Sequence, residues 1–429
     1  MNNTQLHIQA QTFSLKRFPS NHFDKSLRAW DAADEYIIDH VADAVNLNDL
    51  HHIAIINDSF GAITCAMARL APQAKISVFT DSYMAVLGIE QNLRGSNLDK
   101  NNVSVHSCLA LDSLHIKNGQ KVDLVLLKVP RTLSYMDYIL QKLSAVFSAA
   151  SAKPESPVFI GGAMVKLVTS SVMKIFNTHM TDTSTSLARK KARLIFCKCT
   201  NHSIQKLPVN QILPSLATQT PHKQESPIHE VQDNELDFTL YNYPNVFCRE
   251  QVDIGARYML KVLPKIRKAN QVVVDLGCGN GILGISLLLK HKDNPPKVIF
   301  IDESYMAIES AKTTLLNSSV SEQSKTDAEF IVGHCLEEFI LNNQNNPSHL
   351  KGVDLVICNP PFHQQNTVVD DIAWQMFMDA KKVLRVGGEL RIVGNRHLEH
   401  RAKLRKLFGA CNVVASDNKF VVLSSIKQG

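Results

Sequence analysis

The sequence predicts an α/β protein made of two tandem Rossmann-like domains from an internal duplication, the first copy degenerate. Three observations carry that reading. The chain has 429 residues, enough for two domains of ordinary size. Four segments recur along it in the same order and at similar spacing. One copy ends its first apolar run in a glycine-rich loop, where the other places bulkier side chains.

Taken in chain order, residues 1–200 form the first copy. Its run Ile53-Ala54-Ile55-Ile56-Asn57-Asp58-Ser59-Phe60-Gly61-Ala62 aligns with Val273 to Ile282 through Gly61 and Gly281. Phe79-Thr80-Asp81-Ser82-Tyr83-Met84-Ala85 mirrors Phe300 to Ala307, with Tyr83-Met84-Ala85 against Tyr305-Met306-Ala307, and Val122 to Leu127 mirrors Val353 to Cys358. Lys174-Ile175-Phe176 mirrors Lys406-Leu407-Phe408. The offsets run 220, 222, 231 and 232, drifting as loop insertions would make them. Residues 201–230 turn polar, carry Pro208, Pro214, Pro221 and Pro227, and show no sustained period, which predicts a linker. Residues 231–429 form the second copy. It opens with Asp237-Phe238-Thr239-Leu240-Tyr241, alternating as a strand does. Phe247, Arg249, Asp253 and Gly255 follow, in a segment placed to fold over a pocket.

The loop Asp275-Leu276-Gly277-Cys278-Gly279-Asn280-Gly281 closes the strand Val272-Val273-Val274. Gly279-Asn280-Gly281-Ile282-Leu283-Gly284 fits the dinucleotide fingerprint G-x-G-x-x-G by letter. That fingerprint, however, wants its first glycine at the strand end, where the helix N-terminus meets a pyrophosphate. Here Gly277 already holds that place, and Asp275 precedes it. The pattern suits S-adenosylmethionine, which has a sulfonium cation, an amino-acid head and a ribose. Glycines at 277, 279 and 281 let the backbone approach closely, and Asp275 favours the positive charges. Strand two, Val298 to Ile301, ends in Asp302, whose carboxylate can accept both ribose hydroxyls. A tight strand-to-helix turn without a ligand is the simpler alternative.

Asn359-Pro360-Pro361-Phe362 ends the apolar run Val353-Asp354-Leu355-Val356-Ile357-Cys358. An exocyclic base amine is conjugated into its ring, so its lone pair is a poor nucleophile. The Asn359 side-chain oxygen and the Pro360 carbonyl can accept its two hydrogens and draw the nitrogen towards sp³ geometry. Catalysis is then orientation and electrostatics. The prolines stiffen the loop by fixing φ, and Phe362 offers a face for a flipped base. Alone, the tetrapeptide also fits a proline-stiffened turn. With the glycine loop it points to methyl transfer onto an exocyclic amine or an amide.

The first copy lacks these features. Ile55, Asn57 and Ser59 stand where the second has Asp275, Gly277 and Gly279, and Lys128-Val129-Pro130-Arg131 stands opposite Asn359 to Phe362. Residues 1–230 hold 23 Lys+Arg against 18 Asp+Glu, and residues 231–429 hold 23 against 22. The cluster Arg189-Lys190-Lys191-Ala192-Arg193 adds four cations in five residues. Two readings stay open: a packing partner, or an RNA-binding domain that uses Lys128, Arg131, Arg189, Lys190, Lys191 and Arg193.

Composition excludes several classes. Hydrophobic residues make up 45%, as in a globular protein with substantial cores. No stretch of 18 apolar residues exists, and MNNTQLHIQAQ lacks a charged region followed by an apolar one. A cytoplasmic protein without membrane contact is expected. Nine cysteines fit that setting, and Cys65, Cys108, Cys335 and Cys358 read as buried reduced thiols. Cys197-Lys198-Cys199 lacks the partner pair a zinc site needs, so no metal is expected.

The whole chain resembles the bacterial ribosomal RNA guanine-N2 methyltransferases, and among them the large-subunit methyltransferase G family. Leu15-Lys16-Arg17-Phe18-Pro19, Ala29 to Tyr36, Lys128-Val129-Pro130 and Lys190 to Leu194 carry the resemblance in the first half. Asp253-Ile254-Gly255-Ala256-Arg257, Asp275 to Gly281, Asn359 to Gln365 and Gly394-Asn395-Arg396-His397-Leu398 carry it in the second. The resemblance implies two class I methyltransferase folds, S-adenosylmethionine as cofactor, and methylation of N2 of one guanine in 23S ribosomal RNA. His334 stands where many class I methyltransferases place an acid for the adenine amine. Outside this reading, a small-subunit guanine-N2 enzyme, a protein glutamine methyltransferase and a non-enzymatic RNA-binding protein remain as alternatives.

Overall fold

A computed structural model describes residues 4–8, 11–19, 27–98, 101–114, 121–149, 157–198, 227–268, 270–345, 352–361 and 367–429. Most of the expected linker, Phe362 and Cys199 lie outside the described residues. The chain folds as two compact units. The first holds Met1–Phe18, Ser26–Asp81 and Ala85–Pro227, and the second holds Pro19–Lys25, Ser82–Met84 and Ile228–Gly429.

Each unit is built on a seven-stranded mixed sheet. In the first, an antiparallel pair, β1 (Gln5–Ile8) and β2 (Gln11–Ser14), precedes β3 (His52–Ile56), β4 (Lys75–Thr80) and β5 (Val103–Ser107). Then come β6 (Leu124–Lys128), β7 (Val158–Met164), β8 (Thr181–Thr185) and β9 (Ala192–Lys198), giving the order β5-β4-β3-β6-β7-β9-β8. The second unit opens with another antiparallel pair, β10 (His229–Val231) and β11 (Leu240–Asn242). Its sheet takes β12 (Val272–Leu276), β13 (Lys297–Asp302), β14 (Glu329–Val332), β15 (Val353–Cys358), β16 (Leu384–Asn395), β17 (Asn412–Ser416) and β18 (Phe420–Ile426). The order is β14-β13-β12-β15-β16-β18-β17, the same plan as the first. Among the described residues, strands β9 and β18 alone run antiparallel to both neighbours. The strand expected at 237–241 is shorter, and its pairing with β10 begins only at Leu240.

Near-continuous apolar runs make these central strands, as burial on both faces requires. Along β12, Val273 joins one core cluster with Phe300, Leu355 and Ile357, while Val274 joins the opposite one with Ile299 and Val356. The same alternation turns Asp275 to the Val273 face, where it is 1% exposed. Among the described residues no helix is long and apolar enough to cross a membrane.

The ladder register corrects one detail of the repeat. Ile55 pairs with Val78 in the first sheet, and Asp275 pairs with Phe300 in the second. Val78 is therefore the counterpart of Phe300, and Thr80, not Asp81, that of Asp302. Side-chain size follows. A Cβ at Gly284 would lie 2.5 Å from the Phe300 ring. Its counterpart in the first unit is Thr64, and the counterpart of Phe300 is the smaller Val78.

Candidate active site

A cavity of about 390 Å³ opens in the second unit at the carboxyl ends of β12, β13 and β15. The sheet order reverses direction at β12, and ligands of α/β proteins bind at such points. The volume falls in the range of small-molecule sites.

The loop after β12 forms its floor. Gly277, Gly279 and Gly281 have φ of +69°, +55° and +80°. Gly277 N and Cys278 N donate to the Ile301 carbonyl at 2.8 and 3.0 Å, which ties the loop to β13. A Cβ on Gly279 would meet nothing within 4 Å, so the protein itself does not fill that space. The empty volume belongs to the cavity, and it is the cradle a close-lying ligand requires. Asp302 also lines the cavity; its Oδ2 accepts from Gly279 N at 2.9 Å and its Oδ1 from Ser304 N at 3.0 Å. Burial pushes its carboxyl above the usual range, against the pull of those hydrogen bonds.

Gly277, Gly279, Asp302 and His334 line the cavity as expected of cofactor residues, whereas Asp275 and Gly281 stand behind the loop. Gly281 caps the helix Ile282–Lys290 in the left-handed conformation. Asp275 accepts from Gly284 N at 2.8 Å, and burial pushes its carboxyl up to about 8. A carboxyl raised that far is largely protonated near neutral pH, which weakens the charge attraction expected of Asp275. His334 is 2% exposed, with Nδ1 3.8 Å from the Cys335 thiol. The residues present fit the head group, ribose and cationic centre of S-adenosylmethionine.

Asn359 and Pro360 close the other side. Asn359 Nδ2 donates to Asp253 Oδ1 at 2.8 Å. Asn359 Oδ1 is buried with no hydrogen-bond partner among the described residues. A buried acceptor left unpaired costs about 1–3 kcal/mol, a cost that a bound amine would relieve. Asp253 and Phe247, from the segment ahead of β12, reach the cavity. The sequence did not signal Asn242, because its partner is 38 positions away. Its Oδ1 accepts from Asn280 Nδ2 at 3.0 Å, and its own Nδ2 donates to the Arg249 carbonyl at 2.7 Å. This relay ties the glycine loop to the Phe247 segment.

The six basic residues of the first unit divide. Lys128 is no phosphate contact. Its side chain is 14% exposed and its Nζ lies 2.7 Å from Asp31 and 2.6 Å from Asp34, both on or capping the helix Ala32–Ala44. Leaving those carboxylates would strand a nearly buried charge. Arg189 and Lys190 pair with Asp39 and Glu35 at 2.7 Å, but both side chains are well exposed. Such pairs hold weakly and can exchange for a phosphate. Arg131 and Lys191 are exposed, with no ion pair among the described residues, and Arg193 is half-buried on β9. Cys65, Cys108, Cys335 and Cys358 are free and buried.

Comparison with known proteins matches both halves. The RLMG N-terminal domain model covers residues 3–201, and the methyltransferase small domain model covers residues 237–424. Proteins named ribosomal RNA large subunit methyltransferase G are similar over nearly the whole chain. The one from Pseudoalteromonas translucida is 40% identical over 99% of this chain and 98% of its own. That from Colwellia psychrerythraea is 38% identical over 98% of each. In fold, the chain is similar to the T. thermophilus 16S rRNA N2 G1207 methyltransferase solved with AdoMet and guanosine. The TM-score is 0.66 at 17% identity, covering 99% of this chain and 98% of that one. Family models over both halves, and full-length relatives well above 30% identity, place this chain in the ribosomal RNA large subunit methyltransferase G family.

Proposed function

We propose that the protein transfers a methyl group from S-adenosylmethionine to the exocyclic N2 of one guanine in 23S ribosomal RNA. The observation that carries this is the unpartnered Asn359 Oδ1, buried beside a cavity that the glycine loop and Asp302 floor. The names of the full-length relatives support the substrate class.

When bound, the cofactor supplies a methyl group on a cationic sulfonium. Asp302 accepts the ribose hydroxyls on lone pairs that its two backbone hydrogen bonds leave over. The Asn359 Oδ1 and the Pro360 carbonyl take the two amine hydrogens. This loosens conjugation with the ring and aims the nitrogen lone pair into the cavity. Methyl transfer leaves a cationic amine, which gives its proton to water, so the chain needs no general base.

The first unit we read as a duplicate of the second that has lost its cofactor site and grips RNA phosphates. The shared strand order supports the duplication, as do Asn57, Ser59 and Thr80 in place of Gly277, Gly279 and Asp302. Exposed Arg131, Arg189, Lys190 and Lys191 support the RNA contact. The reaction belongs in the cytoplasm, where that RNA is found.

Tritium transfer to protein-stripped 23S RNA, 16S RNA and release factor tests the assignment. Label on 23S RNA alone, located by mass spectrometry at N2 of one guanine, is expected. Label on release factor would establish a glutamine methyltransferase instead.

A further inference from the structure

Asp253 caps the helix Ile254–Leu260, accepting from Ala256 N at 2.8 Å. The same oxygen accepts from Asn359 Nδ2 at 2.8 Å, 106 positions further along the chain. Its other oxygen lies 3.8 Å from the Cys248 thiol. We propose that Asp253 is a positioning residue for methyl transfer: its carboxylate locks the Asn359 amide with the carbonyl oxygen facing the cavity. The inference rests on the reading of Asn359 as the amine acceptor.

The chemistry is one of donors and acceptors. An amide side chain presents NH₂ at one end and oxygen at the other, and half a turn about its last bond exchanges them. An ionised carboxylate can only accept. It therefore holds the NH₂ end, and the flipped amide would set oxygen against oxygen. The remaining end, Oδ1, is the buried atom without a partner. An acceptor fixed before the amine arrives needs no reorganisation during the reaction. Anchorage comes from the helix, whose Ala256 and Met259 are buried in the core beside Val273.

The first unit repeats the contact with different chemistry. Asp31 caps the helix Ala32–Ala44, and its Oδ1 accepts from the Nζ of Lys128, the residue in the place of Asn359. A helix-capping aspartate reaching the end of the fourth parallel strand is thus common to both units. In the second unit, the group it holds has a free acceptor to aim.

The test uses Asp253→Ser, because serine caps a helix about as well as aspartate but is too short to hold the amide. Cofactor affinity by calorimetry, Tm, and kcat and KM on protein-stripped 23S RNA are measured in the full chain. Expected are cofactor affinity and KM within about twofold of wild type and kcat lower by about 10- to 100-fold, as for a misoriented catalytic group. Asp253→Asn keeps shape and cap but can also donate to Asn359 Oδ1, so a smaller fall in kcat is expected. In an Asn359→Ala background, Asp253→Ser lowers kcat no further, since there is no amide left to orient. Wild-type kcat in both Asp253 variants, with Asn359→Ala impaired, overturns the inference. So does a serine effect that multiplies in full onto Asn359→Ala. Wild-type turnover in Asn359→Ala overturns the reading of Asn359 instead.

Discussion

The loop after β3 and the loop after β12 share their backbone conformation at two positions and differ between them, where Gly279 is left-handed and Ser59 is not. Asn57 and Gly277 have φ of +66° and +69°, and Gly61 and Gly281 have +85° and +80°. Asn57 N donates to the Phe79 carbonyl at 2.8 Å, as Gly277 N does to Ile301. Even the helix cap persists: Asp58 Oδ2 accepts from Thr64 N at 2.8 Å, where Asp275 Oδ2 accepts from Gly284 N at 2.8 Å. The fold asks for left-handed residues and an acid on that N–H, and asparagine and a shifted aspartate satisfy it. A ligand asks for empty volume, which only the glycine loop supplies. Backbone geometry thus reports the fold, and the side chains removed from it report the site.

The comparison breaks most sharply at the paired positions 359 and 128. Asn359→Ala should lower kcat by about 10²–10³-fold, as for loss of an oriented transition-state hydrogen bond. Calorimetric cofactor affinity should stay within about twofold. Lys128→Ala should leave kcat in place and instead destabilise the first unit. Two carboxylates would lose their partner, at a cost of about 3 kcal/mol, the lower end for a broken buried pair. Urea denaturation measures it, and an unchanged midpoint would make the Asp31 and Asp34 pairing superficial.

Transplanting a side chain sharpens the same contrast. Gly279→Ser places in the second loop the residue of the first. A Cβ there meets no protein atom, but the left-handed φ of +55° strains any side chain, so Tm should fall modestly while cofactor affinity should fall at least tenfold. Equal losses of both would assign the glycine to folding. For Asp302→Ala, the loss of cofactor affinity should be about 1.5–3 kcal/mol, the range for a hydrogen bond to a charged group.

The gentlest effect is on pH. Burial raises the Asp275 carboxyl to about 8 and also raises Asp302. A bound cation favours their ionised forms, so binding releases protons and cofactor affinity should strengthen as pH rises towards about 8. Without cofactor the sign reverses: a carboxyl near 3.9 unfolded and about 8 folded subtracts stability as pH climbs between those values. Asp275→Asn should flatten both trends, raising Tm more at pH 8 than at pH 5. Calorimetry in buffers of different ionisation enthalpy would detect the protons, and none released would refute the coupling.

The parallel strands and the two loops that line the cavity were legible because each is a local pattern: an apolar run closed by a glycine or proline motif. Register was less so. Matching Phe79 to Phe300 by letter put Asp81 opposite Asp302, and only the ladder pairing of Ile55 with Val78 moves Thr80 into that place. Lys128 read as a free cation because Asp31 and Asp34, which bury its charge, lie over ninety positions away. The contact between Asp253 and Asn359 was invisible for the same reason. Both arise from a helix cap meeting a strand end, and neither partner's neighbours announce the other.

Gly284 and Phe300 carry a consequence for which substitutions the loop can accept. A side chain at 284 would strike the Phe300 ring, so that position cannot take one while the ring is in place. The passable order is fixed: the ring must shrink before a side chain appears, or the side chain must vanish before the ring grows. The order of change at this position is therefore set by the ring and not by the loop that holds the ligand.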